Sequence, residues 1–267
     1  MTFTIRDLYR PVQPSAGFSP GVNYSERFPD ARLKNNIFCY WELNSKGRLA
    51  DPFGYTVVAD GCIDIFWNRA NPQQSFVMGV ADRYKHFPLG RDFSYRGVRF
   101  LPSAFPVLFR VDASELTDQV IELSSVCRPL SDQITHSDTG QPLIDLQLTL
   151  DRFFLKLMSN SHPAKDARLM KRLVYILHTN GIQRVNGGPA AGVSERHLRR
   201  IFQQYIGETP KTFARIVRFQ KLLQTSCSAK SLPVERRYHD FGYYDQAHFI
   251  KEFKRFYGST PGQMWQA

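Results

Sequence analysis

Asp245-Gln246-Ala247-His248-Phe249-Ile250-Lys251-Glu252-Phe253, running on to Gly258-Ser259-Thr260-Pro261, repeats a stretch met 51 positions earlier. That earlier stretch is Ser194-Glu195-Arg196-His197-Leu198-Arg199-Arg200-Ile201-Phe202, running on to Gly207-Glu208-Thr209-Pro210. His, Phe, Gly, Thr and Pro recur unchanged at 197/248, 202/253, 207/258, 209/260 and 210/261. A repeat this strict is one supersecondary unit used twice. Ser194 and Asp245 are residue types that cap helix N-termini. Leu198, Ile201, Phe202 and Tyr205 recur at helical spacing, as do Phe249, Phe253, Phe256 and Tyr257, and both stripes predict a core-facing side. Each Thr-Pro pair predicts the start of a further helix. The one after Pro210, with Phe213, Ile216, Phe219 and Leu223 inward, is expected to end near Gln224 and to join the two units as a rod. Ahead of them, Lys165 to Thr179 predicts a helix closed by the left-handed-tolerant pair Asn180-Gly181.

Opposite the first apolar stripe stand Arg196, Arg199, Arg200 and Gln203, within one arc of about 100°. Arginine grips guanine bidentately in the major groove, and glutamine does the same for adenine. The second unit offers Gln246, Ala247, His248, Lys251 and Lys254; Ala247 suits a thymine methyl group, and His248 a base or a phosphate. The expected partner is double-stranded DNA at a promoter or operator. For each residue alone, the bland alternative is a phosphate contact or plain solvation, and a lone helical His such as His197 is more often structural.

Charge supports the same partner independently. The chain carries a net +11. Residues 161–267 hold 18 Lys and Arg against 7 Asp and Glu, whereas residues 1–160 hold 17 of each sign. Excess positive charge confined to one region is the footprint of a polyanion binder.

The remaining length sets the rest of the expectation. With 267 residues, 42% hydrophobic and 13% aromatic, two domains with real cores are expected. The start, Met1 to Asp7, has no apolar run after its charges and does not read as a signal peptide, and no window is apolar enough to span a membrane; a cytoplasmic protein is expected. Cys39, Cys62, Cys127 and Cys227 lack any ligand spacing and read as reduced thiols. No metal, no cofactor and no catalytic constellation are expected, and the chain does not read as an enzyme.

Residues 1–30, rich in Pro, Ser and Gly, predict an extended arm over the first domain. Strands are predicted over Ile37–Leu43, Tyr55–Ala59, Cys62–Trp67, Gln74–Val80 and Ser94–Phe100, the second and third as a hairpin about Asp60-Gly61. Helices are predicted over Ala113–Val126 and Asp145–Met158, and these are the candidate elements for a homodimer. The fold class expected is α+β: a cupin-like β-barrel or sandwich with flanking helices over residues 1–160, a domain for effector sensing or dimerisation. An all-α domain over 161–267 follows, its two helix-turn-helix units at about 164–207 and 210–262. A barrel ahead of such a pair suits a small-molecule effector, and Trp41, Cys62, Phe66, Trp67 and Phe100 are the candidate pocket residues; the simpler reading makes them barrel core.

From about Ala164 to Ala267 the chain resembles the AraC/XylS family of bacterial transcription regulators. The resemblance is carried by Gly242-Tyr243-Tyr244-Asp245-Gln246-Ala247-His248-Phe249 through Gly258-Ser259-Thr260-Pro261. It implies two helix-turn-helix units joined by a long helix, with recognition helices entering successive major-groove faces about one DNA turn apart. By the resemblance, base-contacting positions fall on Arg196, Arg199 and Arg200, then on Ala247, His248 and Lys251. RNA polymerase is a further candidate partner of such a regulator. Residues 36–126 more weakly resemble the β-rich sensor domain of some of these regulators, through Asp60-Gly61-Cys62-Ile63-Asp64 and Gly97-Val98-Arg99-Phe100-Leu101-Pro102.

The chain departs from the family at the scaffolding helices, with Val185-Asn186-Gly187-Gly188-Pro189-Ala190-Ala191-Gly192 in the first unit and Arg237-Tyr238 in the second. Gly and Pro cost about 1 and about 3 kcal/mol in a helix interior, which predicts a first unit partly mobile without DNA. Two other readings compete: a DNA-repair alkyl acceptor with a similar DNA-binding region, which needs an activated Cys, and a non-specific architectural DNA binder.

Overall fold

In the computed structural model, residues 4–14, 20–160, 166–182, 194–228 and 238–266 are described. The altered scaffolding stretch 185–192, the mobility expected of it, and Arg237 lie outside them.

The first half is an antiparallel sheet domain. Strands β1 (Val22–Arg27), β2 (Ile37–Ser45), β3 (Phe53–Val57), β4 (Ile63–Asn68), β5 (Asn71–Met78), β6 (Lys85–Gly90), β7 (Ser94–Phe100) and β8 (Val120–Glu122) divide into two groups. Six form a sheet in the order β1-β2-β7-β4-β5-β8, and β3 and β6 form a two-stranded ribbon. Successive strand residues face opposite sides, which gives the sheet two apolar faces. Tyr40, Ile65, Trp67, Val98 and Phe100 lie on one, under helices α2 (Ala104–Phe109), α4 (Leu123–Ser137) and α5 (Leu143–Ser159). Cys39, Trp41, Leu43 and Phe66 lie on the other, where Phe53, Tyr55, Val57 and Leu89 of the ribbon cover them. The chain is thus mixed α+β, a sheet domain followed by a helical region.

Three expectations are corrected. The hairpin about Asp60-Gly61 does not form: β3 pairs with β6, and β4 pairs with β5 and β7. Asp60 instead accepts the Cys62 N–H on its carboxylate at 2.9 Å, and the neighbouring Ala59 N–H donates to the Phe256 carbonyl in the helical region. Residues 113–126 are not one helix. A single turn, α3 (Ala113–Leu116), gives way at Asp118, which adopts φ +60°, to strand β8 on the sheet edge; α4 then begins at Leu123 and bends at Cys127, two residues before Pro129. The N-terminal arm is only partly extended. It contains a capped turn, α1 (Ile5–Leu8), and strand β1, and its Tyr9-to-Val12 segment crosses onto the helical region.

Among the described residues the second half has only helices: α6 (Ala167–His178), α7 (Glu195–Ile206), α8 (Pro210–Ser228), α9 (Gln246–Tyr257) and α10 (Pro261–Gln266), with a short 3-10 turn at Tyr238–Phe241. The rod α8 runs four residues past the expected end. Its inward side chains serve both units: Phe213 and Val217 pack with Leu173, Ile201 and Phe202, and Phe219, Leu222 and Leu223 pack with Phe249, Phe253 and Phe256. Burying each such side chain stabilises by roughly 1.5–3 kcal/mol, so the apolar stripes of α7 and α9 fix both helices to one rod.

Candidate nucleic-acid interface

The two repeat helices are built identically from their ends inward. The Ser194 hydroxyl accepts the His197 N–H at 3.3 Å, and the Asp245 carboxylate accepts the His248 N–H at 2.7 Å. Both helices end on a glycine at positive φ, Gly207 at +86° and Gly258 at +99°, whose N–H closes back on the carbonyl of Gln203 or Lys254. That conformation is strained for any residue with a Cβ, which is why the repeat keeps Gly at both places. Thr209 and Thr260 then cap α8 and α10 through the N–H groups of Thr212 and Gln263.

With Leu198, Ile201, Phe202 and Ile206 buried on one side of α7, Arg196, Arg199, Arg200 and Gln203 stand exposed on the other. With Phe249, Phe253 and Phe256 buried on α9, Gln246, Ala247, His248, Lys251 and Lys254 are exposed. His197 is half-buried and its Nδ1 lies 3.2 Å from an Arg200 guanidinium nitrogen, steadying that side chain. His248 leans toward the rod: its Nε2 is 3.7 Å from the Glu252 carboxylate and its ring meets Tyr243 edge-on.

Glu252 was not singled out by pattern, yet it fastens the second helix. It is buried on α9 and receives Arg215 at 2.5 Å and Arg218 at 2.6 Å from α8. Arg218 also donates to the Gly242 carbonyl at 3.0 Å and lies over the Tyr243 ring. Tyr238, at the altered second scaffold, stacks on Phe249.

The sheet domain grips this helical region at three places. Thr117 donates to the Gly207 carbonyl at 2.8 Å, at the end of α7. Tyr84 donates its N–H to the Arg255 carbonyl at 3.1 Å, its ring lies against Gly258, and Asp82 pairs with the Arg255 guanidinium, at the end of α9. Between them, the Ala59 N–H donates to the Phe256 carbonyl at 3.1 Å, and Gln220 of α8 donates to the Ala59 carbonyl at 2.9 Å and accepts the Val12 N–H at 2.7 Å. Gly61 lies so close to Phe213 that a Cβ there would come within 2.8 Å of the ring. The first and second grips fall on repeat-equivalent positions, Gly207 and Gly258, and leave the exposed arcs free. Glu208, beside the first grip, is half-buried. Burial, with the nearby charges of Asp82 and Asp118, lifts its carboxyl from 4.5 to about 7.

The five candidate pocket residues do not converge. Trp41, Cys62 and Phe66 lie on the ribbon side of the sheet, Trp67 and Phe100 on the helix side. Phe66 and Trp67 are neighbours on one strand, so they must face opposite ways. The ribbon side also holds a buried ion group, in which Arg99 pairs with Asp64 through 3.1 and 2.9 Å bonds. Burial raises the Asp64 carboxyl to about 6 against the opposing pull of Arg99. A crevice lined by Ser103, Phe105, Tyr205 and Ile206, where the two halves meet, is closed to a water-sized sphere.

Among the described residues no group of three or more His, Cys, Asp or Glu is placed to hold a metal ion, and no helix is long and apolar enough to cross a membrane. Burial pushes the Cys39, Cys62 and Cys127 thiols up, the reverse of an activated thiolate.

Two capped basic helices on a common rod frame this region. Residues 189–267 match the family described as a helix-turn-helix domain. Residues 25–122 match a second family, a domain of unknown function designated DUF6597. A curated relative, an uncharacterized HTH-type transcriptional regulator from Haemophilus influenzae, is 38% identical over 77 residues, which are 27% of this chain and 24% of the relative. The matched part thus spans about a quarter of that relative's length. Among solved structures, ToxT from Vibrio cholerae O395 aligns with a TM-score of 0.44 and 9% identity over 92% of this chain and 97% of that one. Unsaturated fatty acid bound wild-type ToxT from Vibrio cholerae strain SCE256 aligns at 0.41 and 13%, over 81% and 95%. Likeness at that level assigns no ligand and no residue role.

Proposed function

We propose that the chain is a cytoplasmic, sequence-specific DNA-binding transcription regulator, with a first domain over 1–160 and a DNA-binding domain over 161–267. It reads duplex DNA with Arg196, Arg199, Arg200 and Gln203 of α7 and with Gln246, Ala247, His248, Lys251 and Lys254 of α9. The observation that carries this reading is the matched pair of helices, capped alike, fixed to one rod, each with a charged arc exposed opposite its buried stripe. The curated relative's description as a transcriptional regulator agrees with it.

The first domain is the control element in this reading. It touches the ends of both reading helices and the rod between them, so a small molecule that altered the Val58–Gly61 loop or the Asp82–Tyr84 turn would shift the heads relative to one another. RNA polymerase and a second copy of the chain are further partners in this reading.

The test is a binding titration against random duplexes and against the chain's own promoter region at several salt concentrations. Affinity should fall steeply with salt, as phosphate neutralisation requires, and a defined site should bind on the order of 10³-fold or more tighter than random sequence. Equal affinity for every sequence would leave only the architectural reading.

A further inference from the structure

The 51-residue offset pairs the two reading arcs position by position. Arg196, Arg199, Arg200 and Gln203 on α7 correspond to Ala247, Ile250, Lys251 and Lys254 on α9. At about 100° per residue, each set of four occupies the same arc relative to its buried stripe, and the identical caps and Gly ends give both helices the same frame. The geometry is duplicated but the chemistry is not. Two guanidinium groups of the first head become a methyl group and a branched alkyl group in the second.

Ile250 is 36% exposed, and Tyr244, just ahead of the Asp245 cap, is 86% exposed. Ile250 stands between Gln246 and Lys254, with Ala247 beside it, on an exposed arc of the helix. The flanking Lys251 and Lys254 make this apolar strip fit a polyanion, and no acidic residue shares the arc.

We infer that the two heads read different bases. Arg196, Arg199 and Arg200 select a guanine-rich segment through O6 and N7. Ala247 and Ile250, with Tyr244 at the entry, select thymines through their C5-methyl groups, while Lys254 holds a phosphate beside them. The site is therefore two unlike segments about one helical turn apart rather than a repeated one, and Ile250 is a specificity-determining residue. This rests on the DNA-binding reading above.

The experiment selects sites from random duplexes with the full chain, then replaces thymines by deoxyuridine one segment at a time, which removes only the methyl group. Substitution in the α9 segment should weaken binding roughly fourfold for each methyl contacted, and substitution in the α7 segment should not. Ile250→Ala should abolish the deoxyuridine effect at its position while guanine preference in the other segment stays. Ile250→Arg should bring guanine preference into the second segment. Ile250 is exposed, so neither variant threatens the fold. Two segments with the same bases, or specific binding indifferent to deoxyuridine in both, would overturn the inference and leave the regulator reading intact. Failure to select any sequence would overturn both.

Discussion

Replacing Glu252 by Gln tests whether the second head is truly fixed to the rod. The carboxylate is 1% exposed and takes Arg215 at 2.5 Å and Arg218 at 2.6 Å. Gln keeps the volume and one acceptor but removes the charge that neutralises both guanidinium groups. The Arg215 side chain is 32% exposed and can turn to water at little cost, whereas that of Arg218 is 10% exposed and held by the Gly242 carbonyl and the Tyr243 ring. The loss therefore falls mainly on one buried cation. Breaking a buried pair costs about 3–5 kcal/mol; with one partner free to re-solvate, about 3 kcal/mol is expected. For a chain of this size that lowers the melting temperature by roughly 5–10 °C. Thermal unfolding followed by circular dichroism measures it, and a footprint on the selected site gives the functional consequence: protection over the α9 segment weakens before protection over the α7 segment. A melting temperature within a degree of the parent, with both segments protected alike, would refute the clamp.

Other outcomes follow from the same geometry. Ser194→Ala and Asp245→Ala each remove a cap bond, so each should cost about 1 kcal/mol of stability in denaturant titration, with the Asp245 change quickening amide exchange at His248. Gln220 is fully buried between Val12 and Ala59, and Gln220→Ala strands their backbone groups, for a loss of roughly 1–3 kcal/mol and faster exchange at Val12. Glu208, raised to about 7, binds its proton more tightly folded than unfolded. Its contribution favours the fold below pH 4.5 and is lost as pH rises through about 7. In Glu208→Gln the decline in denaturation midpoint across that window should be smaller than in the parent chain; identical profiles would remove Glu208 as its source.

The reading helices were legible because everything that makes them is local: a cap residue, a 3.6-residue apolar stripe, a terminal Gly and a Thr-Pro start, each repeated at one offset. Strand pairing was not, because β3 finds β6 across some thirty residues and no dipeptide encodes that partner. Strand β8 hid inside what scans as a helix, since Val120 and Ile121 continue the apolar spacing of 113–126 and only the left-handed turn at Asp118 breaks it. The grips of Thr117, Tyr84 and Gln220 carry no motif, since each is an ordinary side chain made important by what folds beside it. Two features were in the sequence but needed a different question. The strand period alone sets Phe66 and Trp67 on opposite faces, and the 51-residue offset alone sets Ile250 in the place of Arg199.

The most direct measurement of the central claim is site selection repeated with Arg199→Ala and with Lys251→Ala. The account predicts that each variant relaxes base preference in a different segment, the two lying about ten base pairs apart. Relaxation of one and the same segment by both, or of none by either, would contradict it.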